Sequence, residues 1–131
     1  MSAESHDNAI AVFEIRPYWG PELKRQFVNY DLVVLECRSV IDLNPILDRF
    51  DCSLVVLDLD AALVDCLQWL DALAIKHSTQ HSIIGIGSSD CFELEWILRD
   101  AGIVALVPNT IAGDDVARLC RRQFGLMRHF D

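Results

Sequence analysis

The stretch Cys52-Ser-Leu-Val-Val-Leu-Asp-Leu-Asp60 decides the fold of this chain. The run from Ser53 to Leu57 is rich in leucine and valine with no polar alternation, which is typical of a strand buried on both faces in the middle of a parallel sheet. Carboxylates follow at Asp58 and Asp60, at the end of that strand where open parallel sheets place their ligands and their chemistry. Asp58 is therefore either a functional group or a carboxylate that caps the next turn.

Composition limits the class of protein. The chain has 131 residues, the length of one domain, and 52% of them are hydrophobic, which excludes a disordered protein. A net charge of −9 argues against a general nucleic-acid binder, because phosphate contacts require a basic surface. The polar tail 1–8 has no apolar signal segment and no apolar run reaches membrane-spanning length, so we expect a cytoplasmic protein. The five cysteines are scattered, which indicates buried thiols and predicts neither a metal site nor a cofactor.

Strand-like and helix-like segments alternate along the rest of the chain. Short apolar runs predict strands at residues 9–14, 32–37, 53–57, 82–86 and 103–107. Apolar residues at helical spacing, with proline and glycine as punctuation, predict helices at residues 21–30, 45–50, 62–77, 91–101 and 112–127. Right-handed crossovers between such units give a parallel sheet with helices on both faces, in a single domain that spans residues 1–131.

Four of these segments resemble a response-regulator receiver domain: LVVLDLD, AVFEIRP, SIIGIGS and AGIVALVPN. The resemblance covers nearly the whole chain and implies a three-layer, flavodoxin-like (βα)5 fold with strand order 2-1-3-4-5. In that family an acidic pair after the first strand and an aspartate after the third hold Mg²⁺, and that aspartate accepts a phosphoryl group. The resemblance places Asp58 on the acceptor and Glu14 on the first acid of the pair.

Three positions depart from the pattern of an active receiver. Ile15 stands in the place of the second acid, Gly87 in that of a Thr or Ser that contacts the phosphoryl group, and Val107 in that of a lysine. Mg²⁺ requires several hard oxygen ligands, and phosphoryl transfer relies on positioning and charge neutralisation. We therefore predict a degenerate pocket, formed by Asp58 and Glu14, that holds no metal and carries out no phosphotransfer. Such a protein is a pseudo-receiver.

Other polar features at this edge have ordinary structural explanations. Asp58 is expected to cap its loop or to pair with Arg16, and Asp60 to be a turn residue or a helix cap. Gly85–Gly87 is a weak match to a phosphate-binding loop, because the third glycine of the dinucleotide fingerprint is absent. Asp90 also places a negative charge at the start of the next helix, where we expect it to form a capping box.

The candidate binding surface lies on the fourth and fifth predicted helices. On the fourth, an aliphatic stripe at residues 94, 97, 98 and 101 is expected to face the sheet. Phe92 and Trp96 then lie on the outer side as a contact site. On the fifth, three arginines lie opposite the core stripe: Arg118, Arg121 and Arg122. We expect these two helices to bind a protein partner and to form a homodimer about a two-fold axis. Trp69 lies off the core stripe of its helix and is a second candidate for exposure.

The predicted function is a protein–protein interaction module of bacterial signalling, with no enzymatic activity and no nucleic-acid or membrane partner. Two alternatives stay open. The chain could be a weakly active receiver that is phosphorylated on Asp58. It could instead be a flavodoxin-like protein that binds a nucleotide or another small ligand at the edge formed by Asp58 and Gly87. Missing phosphate-binding residues count against the second alternative, and a fold alone never assigns a function.

Overall fold

Five parallel strands form one sheet in the order β2-β1-β3-β4-β5, which confirms the predicted topology. The structure is a computed structural model, and it describes residues 8–76 and 80–128. The strands are β1 (Asn8–Phe13), β2 (Val33–Cys37), β3 (Cys52–Asp58), β4 (Gln80–Gly87) and β5 (Ile103–Pro108). Residues 1–7 of the predicted polar tail lie outside the described residues, and Asn8, predicted to end that tail, begins β1 instead.

Helices cover both faces of the sheet. They are α1 (Trp19–Gln26), α2 (Leu43–Arg49), α3 (Leu63–Lys76), α4 (Ser89–Phe92), α5 (Glu95–Asp100) and α6 (Gly113–Arg128). One face carries α1 and α6, and the other carries α2, α3, α4 and α5, so that each face of the sheet has its own hydrophobic cluster. Among the described residues, no helix combines the length and the apolar character needed to cross a membrane.

The central strand β3 supplies both clusters. Alternate side chains point to opposite faces of a strand, so Val55 and Leu57 enter the cluster under α3 while Leu54 and Val56 enter the cluster under α6. All four are fully buried, and each buried aliphatic side chain stabilises the fold by roughly 1.5–3 kcal/mol. Asp58 ends the strand and is its first carboxylate, as the sequence predicts.

The fourth predicted helix is wrong in one respect, because the chain forms two short helices instead of one. Helix α4 ends at Phe92 and α5 begins at Glu95. The predicted capping box at Asp90 is also absent, since Ser88 occupies the N-cap position and makes no side-chain capping bond. The predicted inward stripe holds in part: Leu98 is buried, but Ile97 is 36% exposed.

The second helix and Trp69 also differ from expectation. Helix α2 begins at Leu43, one residue before the predicted cap Asn44, and Pro45 still lies in the first turn, where its missing N–H is not needed. Trp69 is only 6% exposed, so the suggestion that it is an outer anchor is wrong. Its ring packs in the cluster under α3, and its Nε1–H donates to Asn44 Oδ1 at 2.8 Å.

The five cysteines confirm the prediction of buried thiols. Each one is buried, and none takes part in a disulfide bond. Burial raises the pKa of the Cys66 thiol to about 12 and that of the Cys91 thiol to about 11, so both side chains are neutral at physiological pH. All five cysteines lie in the two hydrophobic clusters that cover the faces of the sheet.

Candidate functional site

The four segments that resemble a receiver meet at one edge of the sheet. Parallel pairing sets Asp58 of β3 beside Ile86 of β4, and Gly87 of β4 beside Pro108 of β5. Glu14 directly follows β1 and donates its own N–H to the carbonyl oxygen at the end of β2. The carboxyl ends of the strands therefore bring together the residues that sequence reasoning proposed as a degenerate pocket.

Glu14 is fully buried, and its carboxylate is engaged with the start of α1. It accepts hydrogen bonds from the backbone N–H groups of Tyr18 at 3.1 Å, Trp19 at 2.9 Å and Gly20 at 2.8 Å. The first N–H groups of a helix have no partner within the helix, and a carboxylate there satisfies them and complements the helix dipole. Glu14 is thus the anchor of α1. Its neighbour Ile15 is 52% exposed and supplies no oxygen ligand.

Asp58 lies at the start of a tight turn, in which the Ala61 N–H donates to the Asp58 carbonyl oxygen at 3.2 Å. Burial raises the pKa of Asp58, and the negative charges of Asp60 and Glu14 add to this effect, although the nearby backbone N–H groups of Asp60 and Ala61 act in the opposite direction. In residues 8–76 and 80–128, no ion pair joins Asp58 to a cation, so the expected pairing with Arg16 is wrong.

Asp60 gathers hydrogen bonds from two neighbouring loops. Its Oδ1 accepts hydrogen bonds from the Ser88 backbone N–H at 3.1 Å and from the Ser88 hydroxyl at 2.9 Å. The Cys91 thiol donates to the same oxygen at 3.5 Å. Its Oδ2 accepts from Asn109 Nδ2 at 3.1 Å. Burial works to raise the pKa of Asp60, but these hydrogen bonds outweigh it and hold the pKa below its usual value. Asp60 is a turn residue, as expected, and the sequence did not indicate that it also joins the loops after β3, β4 and β5.

Gly87, in the place of a phosphate-contacting hydroxyl residue, has no room for a side chain. A Cβ atom at this position would lie 2.7 Å from Cys91 Sγ and 2.8 Å from Cys91 Cβ. The first turn of α4 therefore rests directly on the last residue of β4. The adjacent hydroxyl, on Ser88, is hydrogen-bonded to Asp60. Within the described part of the chain, no group of three or more His, Cys, Asp or Glu side chains is arranged to hold a metal ion.

We predict that Gly87→Ala lowers the free energy of unfolding by about 1–3 kcal/mol, the usual effect of overpacking a filled core. The added methyl group must displace Cys91 and with it the first turn of α4. Urea denaturation followed by circular dichroism measures the change. Gly125→Ala is the control, because nothing lies within 4 Å of its Cβ position and alanine favours the interior of α6, so stability should rise by roughly 0.5–1 kcal/mol. Equal stabilities of the Gly87→Ala variant and the wild type would contradict the close packing.

Trp96 lies on the outside of α5, as the sequence predicted, and is 73% exposed. Ile97 and Val104 are also exposed, and we call these three residues the Trp96 surface. The guanidinium of Arg99 links α5 to β5, the two elements that carry this surface. Its Nε donates to Glu95 on α5 at 2.9 Å, and its Nη1 donates to the carbonyl oxygen of Val104 on β5 at 3.1 Å. Since β5 is an edge strand, this apolar surface lies at the side of the sheet.

Phe92 does not share the Trp96 surface. Phe92 ends α4, whereas Trp96 belongs to α5, and the Phe92 side chain is partly buried against the cluster under α3. The prediction that Phe92 and Trp96 project together from one helix face is therefore wrong. Periodicity alone could not reveal this, because helical spacing does not show where a helix is interrupted.

The three arginines of α6 do not form one basic patch. Arg118 pairs with Asp115 at 2.9 Å on the same helix. The guanidinium of Arg121 lies 5.9 Å from the centroid of the Phe27 ring, so it faces α1. Arg122 is exposed and makes no ion pair with any described residue. Arg122 is the arginine of this set that stays available for a partner.

Comparison with known proteins bears on the fold. No protein-family model and no curated protein matches the sequence. Solved structures do match. A response regulator from Thermotoga maritima is 12% identical, with a TM-score of 0.74 over 90% of this chain and 98% of that one. The receiver domain of TorR, of the TMAO respiratory system, is 19% identical, with a TM-score of 0.73 over 95% and 99%. The non-phosphorylated HemR receiver domain from Leptospira biflexa is 15% identical, with a TM-score of 0.71 over 88% and 93%. The chain is therefore similar to receiver domains in structure, with the flavodoxin-like fold that the sequence predicts.

Proposed function

We propose that this chain is a pseudo-receiver, a signalling module that works by protein–protein contact and not by phosphotransfer. The observation that carries the proposal is the exposure of Trp96, together with Ile97 and Val104, on one side of the sheet. A large exposed aromatic residue with apolar neighbours is typical of a contact site. On this proposal the protein is not an enzyme and needs no cofactor.

The polar groups at the carboxyl edge support the proposal because each has a structural task. Glu14 accepts hydrogen bonds from three N–H groups at the start of α1, and Asp60 accepts them from Ser88 and Asn109. The space beside Gly87 is filled by Cys91. To coordinate Mg²⁺, the carboxylate of Glu14 or Asp60 would have to give up hydrogen bonds that it makes within the fold. Losing these bonds costs free energy, whereas a carboxylate without such bonds could bind the ion at no such cost.

The proposed partner is a second copy of this chain or another protein that contacts the Trp96 surface. A two-fold axis beside β5 would bring the Trp96 surface of one copy against that of the other. Acids on α5 would then lie across the interface from Arg122. Such pairs at the rim set the orientation of a complex more than its affinity.

Phosphorylation of Asp58 is the rival function, and one observation favours it: the carboxylate ends β3 and is only half-buried. The test is to incubate the protein with Mg²⁺ and a small phosphodonor and to measure its mass. We expect no phosphate-sized mass gain, because Ile15, Gly87 and Val107 provide neither a metal ligand nor a group that neutralises charge.

The control is the same incubation with Asp58→Asn. A mass gain in the wild type that disappears in this variant would contradict the pseudo-receiver proposal and support a weakly active receiver. A gain that persists in Asp58→Asn would reflect modification elsewhere and would leave Asp58 silent, as proposed.

A further inference from the structure

We infer that Asp60 is a permanent internal tether that holds α4 and α5 against the carboxyl edge of the sheet and so presets the Trp96 surface without any modification of Asp58. The tether itself is independent of the proposed function. The inference rests on the proposed function only where it takes the Trp96 surface as the working surface.

The geometry of the tether joins three strand ends through one carboxylate. Asp60 lies two residues after the end of β3, while Ser88 and Asn109 are the first residues after β4 and β5. Each neighbouring loop gives a side-chain donor to a different oxygen of Asp60, at 2.9 Å from Ser88 and 3.1 Å from Asn109. Two backbone bonds fix the same ends, from Leu59 N to the Ile86 oxygen and from Asn109 N to the Gly87 oxygen, both at 2.9 Å. The loops therefore behave as one unit.

The tether fixes the start of α4. Ser88 has the extended backbone of an N-cap residue, with φ −78° and ψ 179°, and a serine there ordinarily bonds an N–H group of the first turn. Here the Ser88 hydroxyl is bonded to Asp60 and makes no capping bond. Helix α4 runs for four residues, and α5 starts at Glu95 after Glu93 (φ −68°, ψ −18°) and Leu94 (φ −105°, ψ 15°), whose backbone stays close to helical. Asp60 thus acts on the segment that carries Trp96.

Three features make this link a fixed one. Hydrogen bonds to a charged carboxylate are roughly twice as strong as those between neutral groups. The hydrogen bonds to Asp60 also lower its pKa against the effect of burial, so the folded state favours the charged form that accepts them. Finally, Cys91 of α4 fills the space beside Gly87, so the first turn cannot move toward β4.

Asp58 stands outside the tether, which gives a matched comparison. No hydrogen bond joins its carboxylate to Ser88, Cys91 or Asn109, the side chains that bond to Asp60. Asp58→Ala and Asp60→Ala remove the same group at positions only two residues apart. The tether makes their effects on α4 and α5 different.

The experiment is amide hydrogen exchange of the full chain, read by mass spectrometry on the segment 88–95. Asp60→Ala should accelerate exchange there by about tenfold or more, because an anchoring bond to a charged group is lost, while Asp58→Ala should leave the segment unchanged. In nitrogen–proton spectra, the indole signal of Trp96 should shift in Asp60→Ala and keep its position in Asp58→Ala. Unchanged exchange in Asp60→Ala, or equal acceleration in both variants, overturns the inference.

A milder variant decides the matter if Asp60→Ala does not fold. Ser88→Ala removes the hydroxyl donor of the measured segment, which makes no capping bond, and leaves the carboxylate with Asn109. Faster exchange in 88–95 in this variant supports the tether, and unchanged exchange overturns it. These measurements do not depend on partner binding. If no protein bound the Trp96 surface, the proposed function would be excluded, but the result for Asp60 would be unaffected.

Discussion

Replacing Glu14 by alanine is expected to lower the free energy of unfolding by about 3 kcal/mol or more, the largest change in stability that we predict. The substitution leaves the N–H groups of Trp19 and Gly20 buried without an acceptor, and each such group costs about 1–3 kcal/mol. It also removes a negative charge from the positive end of α1, which adds a smaller loss. Urea denaturation followed by circular dichroism measures the change.

Glu95→Ala is the control for the loss of a glutamate as such. Glu95 pairs with Arg99 on the surface of α5, where the two side chains are 41% and 49% exposed, and surface pairs of this kind contribute about 0–1 kcal/mol. We expect Glu95→Ala to be nearly as stable as the wild type. If Glu14→Ala were equally stable, Glu14 would be a free acid of the pocket and not the anchor of α1. Such a result would reopen the possibility of a metal site with Asp58.

Glu14 shows how much of this edge can be predicted from the sequence. The buried strand that ends at Asp58 predicts correctly where the carboxylates gather, because the carboxyl ends of parallel strands meet at one edge. The direction of the Glu14 side chain could not be predicted. A metal ligand and a helix anchor both require an acid immediately after β1, and the choice depends on how closely the start of α1 approaches it in the folded chain.

The break between α4 and α5 could not be predicted for a similar reason. Leu94 and Leu98 follow helical spacing, and no glycine or proline interrupts the segment. The contacts that accompany the break come from distant parts of the chain: the Asp60 carboxylate on Ser88 and the packing of Cys91 on Gly87. Local propensity is a weak guide where such contacts compete with it.

The polar side chains at the carboxyl edge of the sheet and the apolar side chains at its side therefore have different roles. At the edge, Glu14 and Asp60 each accept hydrogen bonds from backbone or side-chain donors of the protein itself. At the side, Trp96 is 73% exposed, and no residue within 8–76 or 80–128 covers it in a comparable way. A group that is satisfied within the fold stabilises the fold, whereas a large exposed apolar group can lower its free energy by binding a partner.

Wild-type protein is expected to form a homodimer in solution, and Trp96→Ala to weaken that dimer by about a hundredfold or more. Burial of one large apolar side chain contributes roughly 1.5–3 kcal/mol, and a two-fold interface loses the contribution of both copies at once. Molar mass from light scattering over a range of concentrations measures the effect, with circular dichroism as the folding control. Tyr18→Ala is the matched variant, because Tyr18 is a 63% exposed aromatic residue on the loop before α1, away from the Trp96 surface. It should dimerise as the wild type does.

Arg122→Glu separates orientation from affinity at the same interface. Because Arg122 is proposed to lie at the rim, reversing its charge should weaken the dimer less than Trp96→Ala does, and added salt should reduce the difference from the wild type. Arg118→Glu is the comparison, since Arg118 already pairs with Asp115 on its own helix.

A wild-type protein that keeps its monomeric mass at all concentrations would exclude the homodimer. In that case Trp96→Ala would still be expected to abolish binding of a different protein partner, and equal binding by both proteins would show that the Trp96 surface is not the working surface.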